Sequence, residues 1–373
     1  MTREAAFHAS RIFDGSRWHE DAALLVREGR VAAILPRAVA PAGERVAGWI
    51  VPGLIDLQVN GGGGVLFNNA PDSASIETIC AAHARFGTTA SMVTLITDTP
   101  EVTQAAIGAA EAAKAAGFLG LHLEGPHLSL ARKGTHDPSL IRRMEADDLA
   151  LILQAAQALA NLIVTLAPES VTPEQVQALA AAGVTVSLGH SDCTATTARA
   201  YADAGARMAT HLFNAMSQIT PREAGLVGAV LEDARLSAGL IADGFHVAAE
   251  VLRLALRVKP GLFLVSDAMS TIGSDQTSFT LNGRQIFRAE GRLTLADGTL
   301  AGADIALIDA VRHLHLELGL PLEQVLPLAA LAPAKAMGLT DRGHLQPGAR
   351  ADFFSLTQQI GCAASWILGE RVA

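Results

Sequence analysis

The chain has 373 residues, half of them apolar and 17% charged, with a formal net charge of −9. A chain of this size can hold a barrel of about 250 residues around a large buried core, with a second small unit beside it. The acidic balance, and the absence of any Lys/Arg cluster interleaved with aromatics, excludes nucleic acid as the expected partner.

The first fifteen residues, MTREAAFHASRIFDG, place charges where a signal peptide needs an apolar centre, so no export is expected. Short strand-like pieces follow (AAFHASRIF, DAALLVREG, RVAAILP), and the other terminus has similar ones, GHLQPGARADFFSL and ASWILGERV. Neither set can bury a core alone. The expectation is a small β-sandwich domain built from both chain termini, residues 1–50 plus 343–373, with a barrel over 51–342 inserted between them.

From Gly53 to Asp267 the pattern is strand, loop, helix, repeated. Eight strands are read: 54–59, 88–94, 120–124, 162–167, 184–190, 207–211, 236–242 and 262–267. Helices lie between them, such as Glu101 to Ala116, opened by Asp98-Thr99-Pro100 and closed by Gly117, and Thr172 to Ala182, closed by Gly183. Near-continuously apolar strands alternating with helices predict a parallel sheet covered on both faces, and eight repeats predict that it closes. The fold class is therefore α/β, a (β/α)8 TIM barrel. Leu149 to Pro168 carries no charge, but Gln154, Gln157 and Asn161 interrupt it, and it reads as an Ala-rich helix entering a strand rather than a membrane span. After the eighth strand, Asn282-Gly283 and Asp297-Gly298 mark hairpins that belong over the barrel mouth or against the terminal unit. Cys80, Cys193 and Cys362 are widely spaced with no CxxC pair, as expected for reduced, buried thiols in a cytoplasm.

Four polar residues close four of the apolar runs: Glu124 in GLHLEGPH, His190 in VTVSLGHSD, His211 in RMATHLFNAM and Asp267 in LFLVSDAMS. In a parallel barrel such positions gather at one end, where catalytic residues sit. One carboxylate and two imidazoles form a ligand set for a divalent metal, and a further carboxylate left unligated is what metal-activated hydrolysis requires. Side-chain alternation points both His122 and Glu124 into the barrel, with Glu124 nearer the mouth. The bland alternatives are a satisfied core imidazole for either His and a helix N-cap for Asp267. His8, His19, His83, His313, His315 and His344 read as surface or core histidines.

HLEGPH, SLGHSD, THLFNAMS, IADGFHV and VSDAMS, in this order, resemble the N-acetylglucosamine-6-phosphate deacetylases of the amidohydrolase superfamily. That resemblance implies metal binding by Glu124, His190 and His211, and a proton shuttle at Asp267 that takes a proton from the metal's water and returns it to the departing amine. It implies that His136, in the Lys133-Gly134-Thr135-His136 loop, donates a hydrogen bond to the oxyanion. It also implies a sugar-phosphate site at His246, Asn214, the backbone of Ala215 and Arg222, the last reaching across a homodimer with the planar fork that suits phosphate. Where many amidohydrolases have His-x-His for a second metal, this chain has Gln58-Val59-Asn60. Amides are poor ligands for such ions, so one divalent ion per subunit is expected, zinc first, with iron, cobalt or manganese also compatible.

Three residues depart from the family pattern: His127, read as packing or loop structure, and Ser270 and Thr271, which replace prolines and are expected to loosen the loop after Asp267. The expected reaction is hydrolysis of the acetamide of N-acetylglucosamine 6-phosphate. The alternatives are the galactosamine epimer, whose distinguishing hydroxyl contact the sequence does not locate, a cyclic-amide or aminoacyl hydrolase, which would need the missing His-x-His, and a non-catalytic barrel acting as sensor or scaffold, which the intact set of site residues opposes.

Overall fold

The computed structural model describes residues 4–373. Its centre is an eight-stranded parallel sheet whose strands follow one another in chain order: Leu54–Val59, Thr88–Ile96, Phe118–Glu124, Leu162–Leu166, Thr185–Leu188, Met208–Ala209, Ser237–Leu240 and Leu262–Leu264. All eight runs read from the sequence are strands. The sheet closes just past its regular ladder, where Val59 bridges Ala268, the Asn60 amide donates to the Ala268 carbonyl at 2.9 Å and the Asp267 amide donates to the Gln58 carbonyl at 3.0 Å. This is the barrel expected from eight apolar strands that cannot leave an edge in water.

Two apolar layers hold it. Leu121, Leu123, Val164, Leu166, Val186 and Leu188 face outward against the helices, and Leu57, Met92, Ile163, Met208, Phe263 and Val265 fill the interior. The helices begin as the sequence predicts: Thr99 accepts from the Val102 amide ahead of Pro100, and Thr172 and Gln175 form a reciprocal capping box. One ends early. The helix Pro100–Ala112 stops before the expected Ala116, because Ala113 turns extended and Gly117, at φ +83°, redirects the chain into the third strand. Alanine propensity gives way to the path that the barrel needs.

The two termini form one further eight-stranded sheet, in which Trp49–Pro52 pairs with Phe353–Leu356 and runs through Gly53 into the first barrel strand. Phe7, Phe353 and Trp366 pack together at its core, with ring centroids 4.8–5.9 Å apart. The hairpin segment forms a four-stranded antiparallel sheet, Ser278–Leu281, Arg284–Ala289, Arg292–Thr294 and Leu300–Ala303. Its apolar face (Phe279, Leu281, Ile286, Leu293) packs on Ile96 and Met269 at the barrel mouth. No helix among the described residues is long and apolar enough to cross a membrane.

Candidate metal centre and active site

Glu124 is the last residue of the third strand, while His190, His211 and Asp267 lie two or three residues past the ends of theirs. At those three positions φ is positive, +48°, +32° and +52°. Non-glycine residues adopt this region only where the surroundings impose it, and such strain collects at functional sites. The bend turns each side chain over the mouth. His190 Nε2 lies 3.1 Å from His211 Nε2, and Glu124 Oε1 lies 3.1 Å from His211 Nε2 and 3.4 Å from His190 Nε2.

The three residues suit a divalent ion. Atoms bound at about 2.0–2.2 Å on a tetrahedron stand about 3.3–3.6 Å apart, close to the spacing seen. His190 Nδ1–H donates to the Arg132 carbonyl at 2.9 Å, which leaves the lone pair on Nε2, facing its two companions. Burial works to raise the pKa of Glu124, but the imidazoles of His190 and His211 against it hold it well below the ordinary carboxylate range. It is an anion ready for a cation.

Asp267 stands beside this set and outside it. Its Oδ1 accepts from Asn60 Nδ2 at 2.7 Å and from Gln58 Nε2 at 3.1 Å, and Gln58 Nε2 also donates to Glu124 Oε1 at 3.0 Å. Burial first, and then the charge of Glu124, push its pKa upward. No helix follows Asp267, so it caps none. His136 is buried with Nδ1 2.7 Å from Thr97 Oγ1 and its ring 4.3 Å from that of His190. Burial, followed by the neighbouring His190 imidazole, drives its pKa well down, so it is neutral.

These groups line an open cavity of about 240 Å3, together with Asn60, Thr135, Asn214, Ala215 and His246. His246 is oriented by Asp243, whose carboxylate accepts from its Nδ1–H at 2.6 Å. Arg222 is exposed on a loop and does not line the cavity of its own chain. His127 is buried with its Nδ1 on the Arg142 carbonyl. Thr271 does not loosen its loop: its hydroxyl donates to Asp304 Oδ1 at 2.8 Å, and Arg288 holds the other oxygen at 2.7 Å.

Sequence reasoning missed several contributors. Thr299, Leu300 and Gly302 of the hairpin sheet complete the cavity wall, and only the Asp297-Gly298 turn hinted at them. Asp56 is fully buried, and burial pushes it up to about 7. Its Oδ1 accepts from the Ser266 amide at 3.2 Å and the Gln58 amide at 3.3 Å, joining the strands that carry Asp267 and Gln58. The lone acid inside LIDLQV was the available signal. Below Glu124, His122 Nε2 meets Thr165 Oγ1 at 2.7 Å, and Thr165, Thr210 and Ser187 continue a buried chain of hydroxyls across the barrel floor.

A closed parallel barrel with a carboxylate and two imidazoles that could hold a metal ion at its C-terminal end, beside a further acid, is the architecture of a metal-dependent hydrolase, and residues 49–367 match the model of the amidohydrolase family, to which this chain belongs. Over 331 residues it is 42% identical to the N-acetylgalactosamine-6-phosphate deacetylase of Shewanella sp. (strain ANA-3), an alignment covering 87% of this chain and 83% of that one. It is 38% identical over 341 residues to the N-acetylglucosamine-6-phosphate deacetylase of Bos taurus, with the same coverage. The crystal structure of N-acetylglucosamine-6-phosphate deacetylase from Pasteurella multocida matches it with a TM-score of 0.95 at 33% identity, covering 99% of each chain.

Proposed function

We propose that this chain hydrolyses the acetamide of N-acetylglucosamine 6-phosphate to glucosamine 6-phosphate and acetate, a step in the breakdown of amino sugars. The observation that carries the reading is the convergence of Glu124, His190 and His211 within 3.1–3.4 Å, with the unligated carboxylate of Asp267 alongside. These three residues would hold one divalent ion, zinc first on the oxygen and nitrogen donor set. When bound, the ion supplies acidity to its water, down to a pKa of about 7, and polarises the acetamide carbonyl.

The chain's own groups do the rest. Asp267 accepts the proton released as water attacks and returns it to the leaving nitrogen, a task suited to a buried carboxyl whose pKa is raised. His136 donates from Nε2 to the developing oxyanion. That tautomer follows if Thr97, 2.7 Å from Nδ1, gives its proton to the ring nitrogen rather than to the Glu124 carbonyl at 3.1 Å. His246, Asn214 and the Ala215 backbone bind the sugar phosphate. Arg222, exposed on its own chain, reaches the phosphate of a partner, so the working unit is a homodimer. Three free cysteines accord with a reducing cytoplasm as its location.

The 42% identity to an N-acetylgalactosamine-6-phosphate deacetylase supports a second reading, the same chemistry on the C4 epimer. Acetate released from both epimers, before and after chelation, tests the whole. Release from the gluco substrate is expected to vanish with the metal and return with added zinc, at one ion per chain by elemental analysis. Undiminished release from metal-free protein overturns the mechanism, two ions per chain overturn the single-metal site, and faster release from the galacto epimer transfers the substrate to the second reading.

A further inference from the structure

The loop over residues 129–136 is wrapped around His190. The Ser129 amide donates to the His190 carbonyl at 2.9 Å, and the Arg132 carbonyl accepts from His190 Nδ1–H at 2.9 Å. A methyl group at Gly134 would stand 3.4 Å from His190 Cε1, and His136 packs edge-on against the same ring. The middle of the loop faces solvent, with Leu130, Ala131 and Gly134 exposed, while Ser129, Thr135 and His136 at its ends are buried. One tether lies at its far end, where Arg284 Nη2 donates to the Thr135 carbonyl at 2.6 Å.

The near end is held by charge. Arg132 Nε and Nη2 each lie 2.8 Å from Asp192 Oδ1, two residues beyond His190. Asp192 is itself fixed by Glu169, whose two oxygens accept from the Asp192 amide at 2.6 Å and the Ser191 hydroxyl at 2.8 Å. The same arginine thus grips the His190 loop with its side chain and orients the His190 ring with its carbonyl.

We propose that the Arg132–Asp192 pair is a latch, closing loop 129–136 over the site and, through the Arg132 carbonyl, holding the His190 imidazole in its ligand orientation. Arg132, Asp192 and Glu169 are positioning residues. The inference rests on the metal role of His190 proposed above. Side chains 38% and 48% exposed make a weak, salt-screened pair. Such a contact can open for substrate to pass and close again, while the backbone bond that depends on it tunes a metal ligand.

Trypsin, which cuts after Arg132 and Lys133, reads the latch without substrate. In Asp192→Ala, cleavage in this loop and loss of bound zinc to a chelator are each expected to quicken about two- to fivefold, the range an exposed pair supports. Asp192→Glu should restore both, and raised ionic strength should close the gap between parent and variant. If Asp192→Ala does not fold, Asp192→Asn keeps the backbone bond to Glu169 and serves in its place. Equal cleavage and equal zinc loss at low salt overturn the latch, even where acetate release verifies the reaction. A parent protein that binds no zinc instead sinks the metal reading, and the cleavage comparison still stands by itself.

Discussion

Asp267 takes two amide donors on a single oxygen, where related enzymes with His-x-His would place a cation. Gln58 and Asn60 are neutral, yet their N–H dipoles face both carboxylates of the site and offset part of the repulsion between them. In Asp267→Asn the three ligand residues are untouched, so metal content should hold at the parent level. Turnover should fall at least about a hundredfold, the lower end for removal of a general acid–base group. Near-normal turnover in the metal-loaded variant would exclude the shuttle. At this scale the sequence reached the residue types, because a charged or imidazole group ending an apolar run is conspicuous. It did not reach the left-handed backbone at His190, His211 and Asp267, which local preference disfavours and only the packed barrel imposes.

The four-stranded hairpin sheet is more than a cover. Its last strand runs against the segment that carries Asp267: Ala303 donates to the Asp267 carbonyl at 2.9 Å, and Gly302 sits at φ +67° with no room for a side chain. A Cβ there would meet Met269 Cγ at 2.6 Å and the Asp267 carbonyl at 3.0 Å. Gly302→Ala is therefore expected to destabilise the protein by about 1–3 kcal/mol, the range for a forced left-handed residue. It should also lower turnover by displacing Asp267. Unchanged melting and turnover together would show that the sheet yields freely and does not set the Asp267 position. The two Gly-containing turns made the hairpins legible in sequence. Their place on the mouth was not, since Phe279, Leu281 and Ile286 bury themselves on Met269 and on Ile96, a residue remote along the chain.

For the molecule as a whole, the joint between first strand and surrounding helices carries a pH dependence. His83, on the helix Ser73–Ala84, is fully buried, and its Nε2–H donates to the Gly61 carbonyl just beyond Asn60 at 2.9 Å. Burial lowers its pKa from 6.5 to about 4, only partly opposed by that bond. Above pH 6.5 both folded and unfolded imidazoles are neutral and stability does not change on this account. As pH falls from 6.5 towards 4 the unfolded chain gains the proton first, so stability should drop, by about 3 kcal/mol in all for this group. His83→Gln keeps a donor and does not titrate. Denaturant unfolding at several pH values should give a shallower acid slope for the variant, and identical slopes would assign the acid sensitivity elsewhere. By itself, the sequence determined the number of strands, their parallel order and which carboxylate and imidazole groups stand at the strand ends, because buried periodicity and strand-end polarity are local properties of the chain. What the tertiary structure decided was closure of the barrel through Val59 and Ala268, the continuous sheet from both termini, the hairpin wall and the Arg132 carbonyl behind His190. Each of these joins residues far apart along the polypeptide, and no local preference encodes a contact whose partner is fixed only when the whole core packs.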